Sequence, residues 1–129
     1  MHCRLGGLVV AFMASLAVVS PSFAHHSVSG QFDLSKTMTL KGVVSKVEWI
    51  NPHIYIYLDV KGEDGTMTTW ALETLPTAMM RKAGLTRDSF NGPGNETVTV
   101  NVIGARDGTK HLAFLQLLTF ADGRFFKLG

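Results

Sequence analysis

The residues best equipped for chemistry in this chain are histidines, and three of them, His25, His26 and His53, fit one hypothesis. His25 follows Pro21-Ser22-Phe23-Ala24, where small residues occupy the two positions a signal peptidase reads. Cleavage after Ala24 would make His25 the amino terminus, with a free amine and an imidazole on one residue. That pair can chelate a transition metal, and a third nitrogen from His26, His53 or His111 would complete a T-shaped site. Neutral imidazole suits copper, zinc and nickel, and copper heads the affinity order, so copper is the candidate cofactor. The amine titrates near ~8 and imidazole near ~6.5 in reference peptides, so binding should strengthen as pH rises through that range. Neighbouring side chains on an extended chain point apart, so a site using both His25 and His26 requires a bend. The competing reading is that His53 only satisfies a backbone carbonyl at a turn. His111 opens a strand and reads as structural.

Other side chains offer less. Asp59, Asp64, Asp107 and Asp122 fall in turns or on strand faces, where turn hydrogen bonding is their ordinary role. Asp33 is at most a supplementary oxygen ligand. Glu48 and Glu73 read as solvated strand residues within reach of Lys46, Arg81 or Lys82. Ser27 beside His26 is local adjacency, because a triad needs a base held by a third group. Residues 91–95 lack the lysine and following helix of a phosphate loop. Met38, Met67, Met79 and Met80 read as core filler before thioether ligands. Tyr55 and Tyr57 share the outer face of one strand, and with Trp49 they are the candidate ligand or partner face. Such a face on a small barrel can stack bases or sugars, but without basic neighbours nucleic acid is not the expected partner.

These residues need a scaffold and a compartment. Residues 1–24 have a short basic start and an apolar stretch over residues 5–19, the pattern of a cleaved secretory signal. The stretch falls short of the ~20 residues a membrane span needs, so no membrane anchor is expected after cleavage. The expected location is periplasmic or secreted. Of 12 basic and 10 acidic residues, only Arg4 lies in the leader, so residues 25–129 are close to neutral. That balance offers no basic patch for nucleic acid or anionic lipid. The single cysteine, Cys3, is lost with the leader, so the remaining chain must hold itself by core burial without a disulfide.

Residues 25–129 read as one domain with an N-terminal arm, residues 25–36, that docks through Phe32. A first strand over residues 38–50 changes phase beside Gly42, as a bulged and curved strand does. Asn51-Pro52-His53 breaks it, because proline donates no ladder hydrogen bond and holds its predecessor out of helix. Ile54, Ile56, Leu58 and Val60 then alternate with Tyr55, Tyr57 and Asp59, a half-buried second strand over residues 54–61. A turn at residues 62–65 returns the chain as a third strand, residues 66–73. Residues 76–83 are the one convincing helix, opened by proline and closed by Gly84, with Thr74 a better cap than Leu75. A loop over residues 91–95 leads to strands at 97–103 and 111–120, then a short tail. In the last strand Leu112, Phe114, Leu118 and Phe120 are expected on one face, with Ala113, Leu115 and Leu117 on the other. The order predicts a mainly β fold, a five-stranded, OB-like, partly closed barrel with one short helix between strands three and four. The alternative is an open antiparallel sheet with the helix across one face.

His25-His26-Ser27, Phe32-Asp33, Val47-Glu48-Trp49, Asn51-Pro52-His53, Trp70-Ala71-Leu72-Glu73, Gly84-Leu85-Thr86-Arg87 and Gly104-Ala105-Arg106-Asp107-Gly108 recur in that order. On these motifs the chain resembles a bacterial exported family of unknown function, domain-of-unknown-function family 6152. The resemblance covers essentially all of residues 25–129. It implies a small periplasmic β-domain and brings no activity with it. Two positions depart from its pattern, Leu75 before Pro76 and Asn95 after Gly94, and both bear on local structure. The resulting expectation is a non-enzymatic exported binding module that holds a transition-metal ion, copper first. The alternative is a metal-free structural or interaction domain that binds a periplasmic protein or ligand through its aromatic face. An oxidative copper enzyme ranks third, because nothing else in the chain resembles a substrate platform.

Overall fold

Strand alternation and two short helices account for nearly all the regular structure. The computed structural model describes residues 27–92 and 97–129. A helical turn, α1 (Val28–Gln31), leads into β1 (Phe32–Glu48), β2 (Tyr55–Lys61) and β3 (Met67–Glu73). Then come α2 (Thr77–Lys82), a 3₁₀ turn (Arg87–Phe90), β4 (Val98–Ala105), β5 (Leu112–Phe120) and β6 (Phe125–Lys127). The strands are ordered β3-β2-β1-β4-β5-β6, and a parallel pairing of β3 with β5 closes the ring. This is the mainly β, OB-like, partly closed barrel that the element order implies, with α2 between β3 and β4. One strand is added. The tail pairs with residues 117–119 of β5 through Phe125, Phe126 and Lys127, so the sheet has six strands, not five.

Closure depends on β1, whose 17 residues pair with β4 through the first half and β2 through the second. One sheet can curl into a ring only if some strand belongs to both halves, and bulges supply the bend. The β1–β2 ladder slips between Val44 and Lys46, so the phase change read beside Gly42 lies at Ser45. Gly42 has a different duty. A Cβ there would sit 2.3 Å from the Asp59 carbonyl oxygen, a distance no side chain tolerates. β1 also begins earlier than the sequence pattern indicates, at Phe32, so residues 32–36 belong to the sheet and the described part of the arm is residues 27–31.

The main core follows the alternation. Ile54, Ile56, Leu58, Leu72, Val100, Val102, Leu115 and Leu118 are fully buried, and Met80 of α2 is buried among them. Each such side chain contributes about 1.5–3 kcal/mol over leaving it exposed. In β5 the expected faces do not hold. The ladder slips between Asn101 and Val102 opposite Gln116, and one extra residue reverses the parity of everything beyond it. Ala113 and Leu115 therefore share the main core with Leu118 and Phe120, while Phe114 joins Phe32 and Ile103 in a second cluster.

Neither Thr74 nor Leu75 caps α2. Pro76 occupies the capping position, and the Asn51 side-chain oxygen accepts from the Thr77 amide at 3.2 Å and its hydroxyl at 3.0 Å. Thr74 instead donates its hydroxyl to the Ile54 carbonyl at 3.0 Å. The Asn51-Pro52-His53 turn, which contains a cis Asn51–Pro52 peptide, is thus tied to both β3 and α2. That is what fixes the position of His53.

Candidate functional site

The hairpin register sets the site. Tyr55 pairs across the strands with Glu73 on one side and Glu48 on the other, which places three polar side chains in a row on the outer face. Glu73 is the centre. It is 5% exposed, yet one carboxyl oxygen accepts from the Tyr55 hydroxyl at 2.7 Å and from the Gln31 amide at 3.2 Å. Its other oxygen lies 3.5 Å from His53 Nδ1. A buried carboxyl group requires such partners, because burying even an amide or hydroxyl without a hydrogen bond costs about 2–7 kcal/mol and an unpaired charge costs far more.

His53 stands on the rim beside this carboxyl. Its Nδ1 is 3.2 Å from the Thr74 carbonyl oxygen, which can only accept, so Nδ1 carries the hydrogen. Nε2 then holds the lone pair. It has no hydrogen-bond partner among the described residues, and the side chain is 30% exposed. The turn carbonyl that His53 was expected to satisfy is therefore present, and satisfying it leaves the other nitrogen free to bind.

The arm is strapped against the same corner. Arg106 donates Nε and Nη2 to the Ser29 carbonyl at 3.1 and 2.8 Å, and its amide donates to the Gln31 carbonyl at 2.9 Å. Val28 and Leu75 both pack on the second cluster, so the start of the described arm shares a surface with the residue that follows Thr74. His25 and His26 lie outside the described residues. Among the described residues, no three His, Cys, Asp or Glu side chains are grouped to hold a metal. His53 with Glu73 is an imidazole and its carboxyl support.

The remaining candidates are placed apart. Trp49, just past β1, is half-buried against the main core, whereas Tyr55 and Tyr57 look outward. The Tyr57 hydroxyl donates to Glu48 at 3.2 Å, Lys46 pairs with the same carboxylate, and the Lys46 ammonium lies 5.3 Å from the Tyr57 ring centroid. The Lys46 contact holds the Glu48 carboxyl below its ordinary range. His111 heads β5, and its carbonyl accepts from the Ala71 amide at 2.8 Å. Asp64, Asp107 and Asp122 each accept the amide two residues on, as turn aspartates do, and Asp33 does the same for Ser35.

Both tyrosines are pushed up, first by burial and then by the carboxylates that accept their hydrogens. A folded-state pKa raised above the unfolded value contributes stability that is full below the unfolded value and declines as pH rises past it. The chain holds only 2 tyrosines, so absorbance near tyrosinate's band reads them without interference. As pH rises through the ordinary value of 10.0, the folded protein should form less tyrosinate than urea-unfolded protein at the same pH. Stability should fall over that range, and Tyr55→Phe should flatten the fall. Ordinary titration of both rings in the folded state would refute the Tyr55–Glu73 contact.

Sequence reasoning gives no role to Gln31, names Arg106 only within a family motif, and takes Glu73 for a solvated residue. Counting back from a 62–65 turn would have set Tyr55 opposite Leu72; Lys61 pairs with Met67, and that one extra loop residue is what brings Glu73 opposite Tyr55. Nothing local marks Gln31, whose partner lies 42 positions away. Among the described residues no helix is long and apolar enough to cross a membrane. A family model described as a family of unknown function matches residues 12–114. No curated protein and no solved structure matches the chain.

Proposed function

Because the chain belongs to DUF6152, the family whose model matches it, and the function of that family is unknown, we infer a function from the His53 corner: transition-metal binding by an exported module. The observation that carries the reading is the clamp on His53. Metal-ligating histidines almost always donate their second ring nitrogen to a carboxylate or backbone carbonyl, which fixes the tautomer and raises ligand basicity. Here Nδ1 meets both, the Thr74 carbonyl at 3.2 Å and Glu73 at 3.5 Å, and Nε2 has no hydrogen-bond partner among the described residues.

The docked arm supports the remaining ligands. Gln31 touches the carboxyl that His53 touches, and Val28 packs beside Leu75. His26 directly precedes the described arm, and the proposed site requires the chain ahead of Ser27 to bring His25 and His26 to His53. Cleavage after Ala24 gives His25 an amine and an imidazole, and His53 with His26 completes a nitrogen set that favours copper. In this reading the module is a binder, and the Glu73 carboxyl supports the ligand His53. A cleaved leader would send it to the periplasm or outside the cell.

The test expresses the full chain, purifies the processed protein from the periplasm and titrates it with copper(II), followed by electron paramagnetic resonance. One-to-one binding with nitrogen hyperfine structure is expected, and one extra residue ahead of His25 should abolish it. Affinity that survives the extension would refute the terminal chelate. Absence of saturable binding would return the protein to the metal-free reading, an interaction domain contacting a periplasmic partner or ligand through Tyr55 and Tyr57.

A further inference from the structure

We propose that the open cavity between the head of β5 and β1 is a second binding site, one that takes a small amphipathic carboxylate. The cavity measures about 460 Å³ and is lined by Met38 of β1, Trp70 of β3, and His111 with Leu112 at the head of β5. That volume falls within the ordinary range for small-molecule pockets, about 300–1,000 Å³. Met38 and Trp70 pack on the main core, while Leu112 packs on the second cluster. Trp70 and Glu73 are three apart on β3 and so look to opposite faces of the strand.

Charge selects the ligand. Lys36 and Lys110 line the same cavity around its apolar floor. The Lys110 ammonium has no ionic or hydrogen-bonding partner among the described residues, and Lys36 has a long contact, 3.9 Å, to Asp33 and lies within electrostatic reach of Asp107. The nearest other acid, Asp107, is occupied by the Thr109 amide and hydroxyl at 2.9 and 2.7 Å. An apolar floor of thioether, indole and leucine under two ammonium groups fits a molecule with a hydrocarbon body and one anionic head. The same two cations disfavour a metal ion there, despite Met38 and His111.

Backbone strain points to the same place. His111 has φ 58°, the one positive φ outside glycine among the described residues. Glycine would hold this conformation without strain, so the imidazole is retained against a conformational preference. What it gains is an edge-on contact with Trp70, ring centroids 5.1 Å apart, that sets the indole as one wall of the cavity. Its ring nitrogens have no hydrogen-bond partner among the described residues and are open to a carboxylate.

The test is a nuclear magnetic resonance titration of the processed protein with octanoate and, separately, 1-octanol. Octanoate should saturate, with shifts concentrated on the Trp70 indole, the Met38 methyl and the His111 ring. 1-Octanol should bind about fivefold more weakly, in line with one or two exposed charge contacts. Lys36→Gln with Lys110→Gln should erase that difference and leave octanol binding unchanged. His111→Gly should stabilise the fold yet weaken octanoate. Equal affinity for the two probes, shifts centred elsewhere, or no saturation would overturn the proposal.

Discussion

His53→Ala is expected to weaken copper(II) binding by about 100-fold or more while changing the urea midpoint little. Removing a residue that merely supports a ligand costs 10–100-fold in metal affinity, so removing a ligand should cost at least the upper end. The small stability effect follows from the geometry. Glu73 keeps its shorter contacts, 2.7 Å to Tyr55 and 3.2 Å to Gln31, and loses one of 3.5 Å. The Thr74 carbonyl loses a donor at a position where the departing side chain was 30% exposed, so water can replace it. A net loss of about 1 kcal/mol is the ordinary value for one such hydrogen bond. His53→Gln separates the roles, because its amide can still donate to the carbonyl but offers no imidazole lone pair. It should match alanine in copper affinity and the native protein in stability. Unchanged affinity in both variants, with binding that still requires a free His25, would move the third ligand from His53 to another residue.

How far this site could be read in advance depends on which interactions are local. The alternation of Ile54, Ile56 and Leu58 needs only neighbouring residues, and all three are fully buried. The corner at His53 was legible for the same reason: proline chemistry is written in adjacent positions. The faces of β5 were not, because the bulge at Gln116 is set by how β5 meets Asn101 and Val102 on β4. Glu73 shows the limit most clearly. A glutamate in a strand reads as a solvated face, and its burial depends on cover from Gln31 and on support from Tyr55 and His53, none of which is a sequence neighbour. The cap of α2 likewise comes from Asn51, 26 positions upstream. Local rules found the elements, and the residues that join elements needed the structure.

Phe32→Ala is expected to cost about 3–5 kcal/mol, the usual penalty for emptying a buried phenylalanine site. Phe32 is 1% exposed and packs at 5.7 Å, tilted, against Phe114, with Ile103 completing the cluster. The position cannot collapse easily, since β4 and β5 supply its walls and belong to the closed ring. The loss should also reach the arm. Ordering each arm residue costs about 1–2 kcal/mol in backbone entropy, and Val28 and Leu75 rest on the cluster that Phe32 anchors. Without the anchor, the arm is left to the Arg106 hydrogen bonds to Ser29, Gln31 and Phe32 and to the Gln31 contact with Glu73. Copper affinity should therefore fall together with stability in Phe32→Ala, whereas Phe32→Leu, which refills most of the volume, should retain the larger share of both. Urea unfolding and copper titration of the same preparations decide the matter. A midpoint change equivalent to less than about 1 kcal/mol would mean that Phe32 is not packed as described. A full stability loss with unchanged copper affinity would mean that metal binding does not depend on how the arm is docked, and that His25 finds its partners from a free tether.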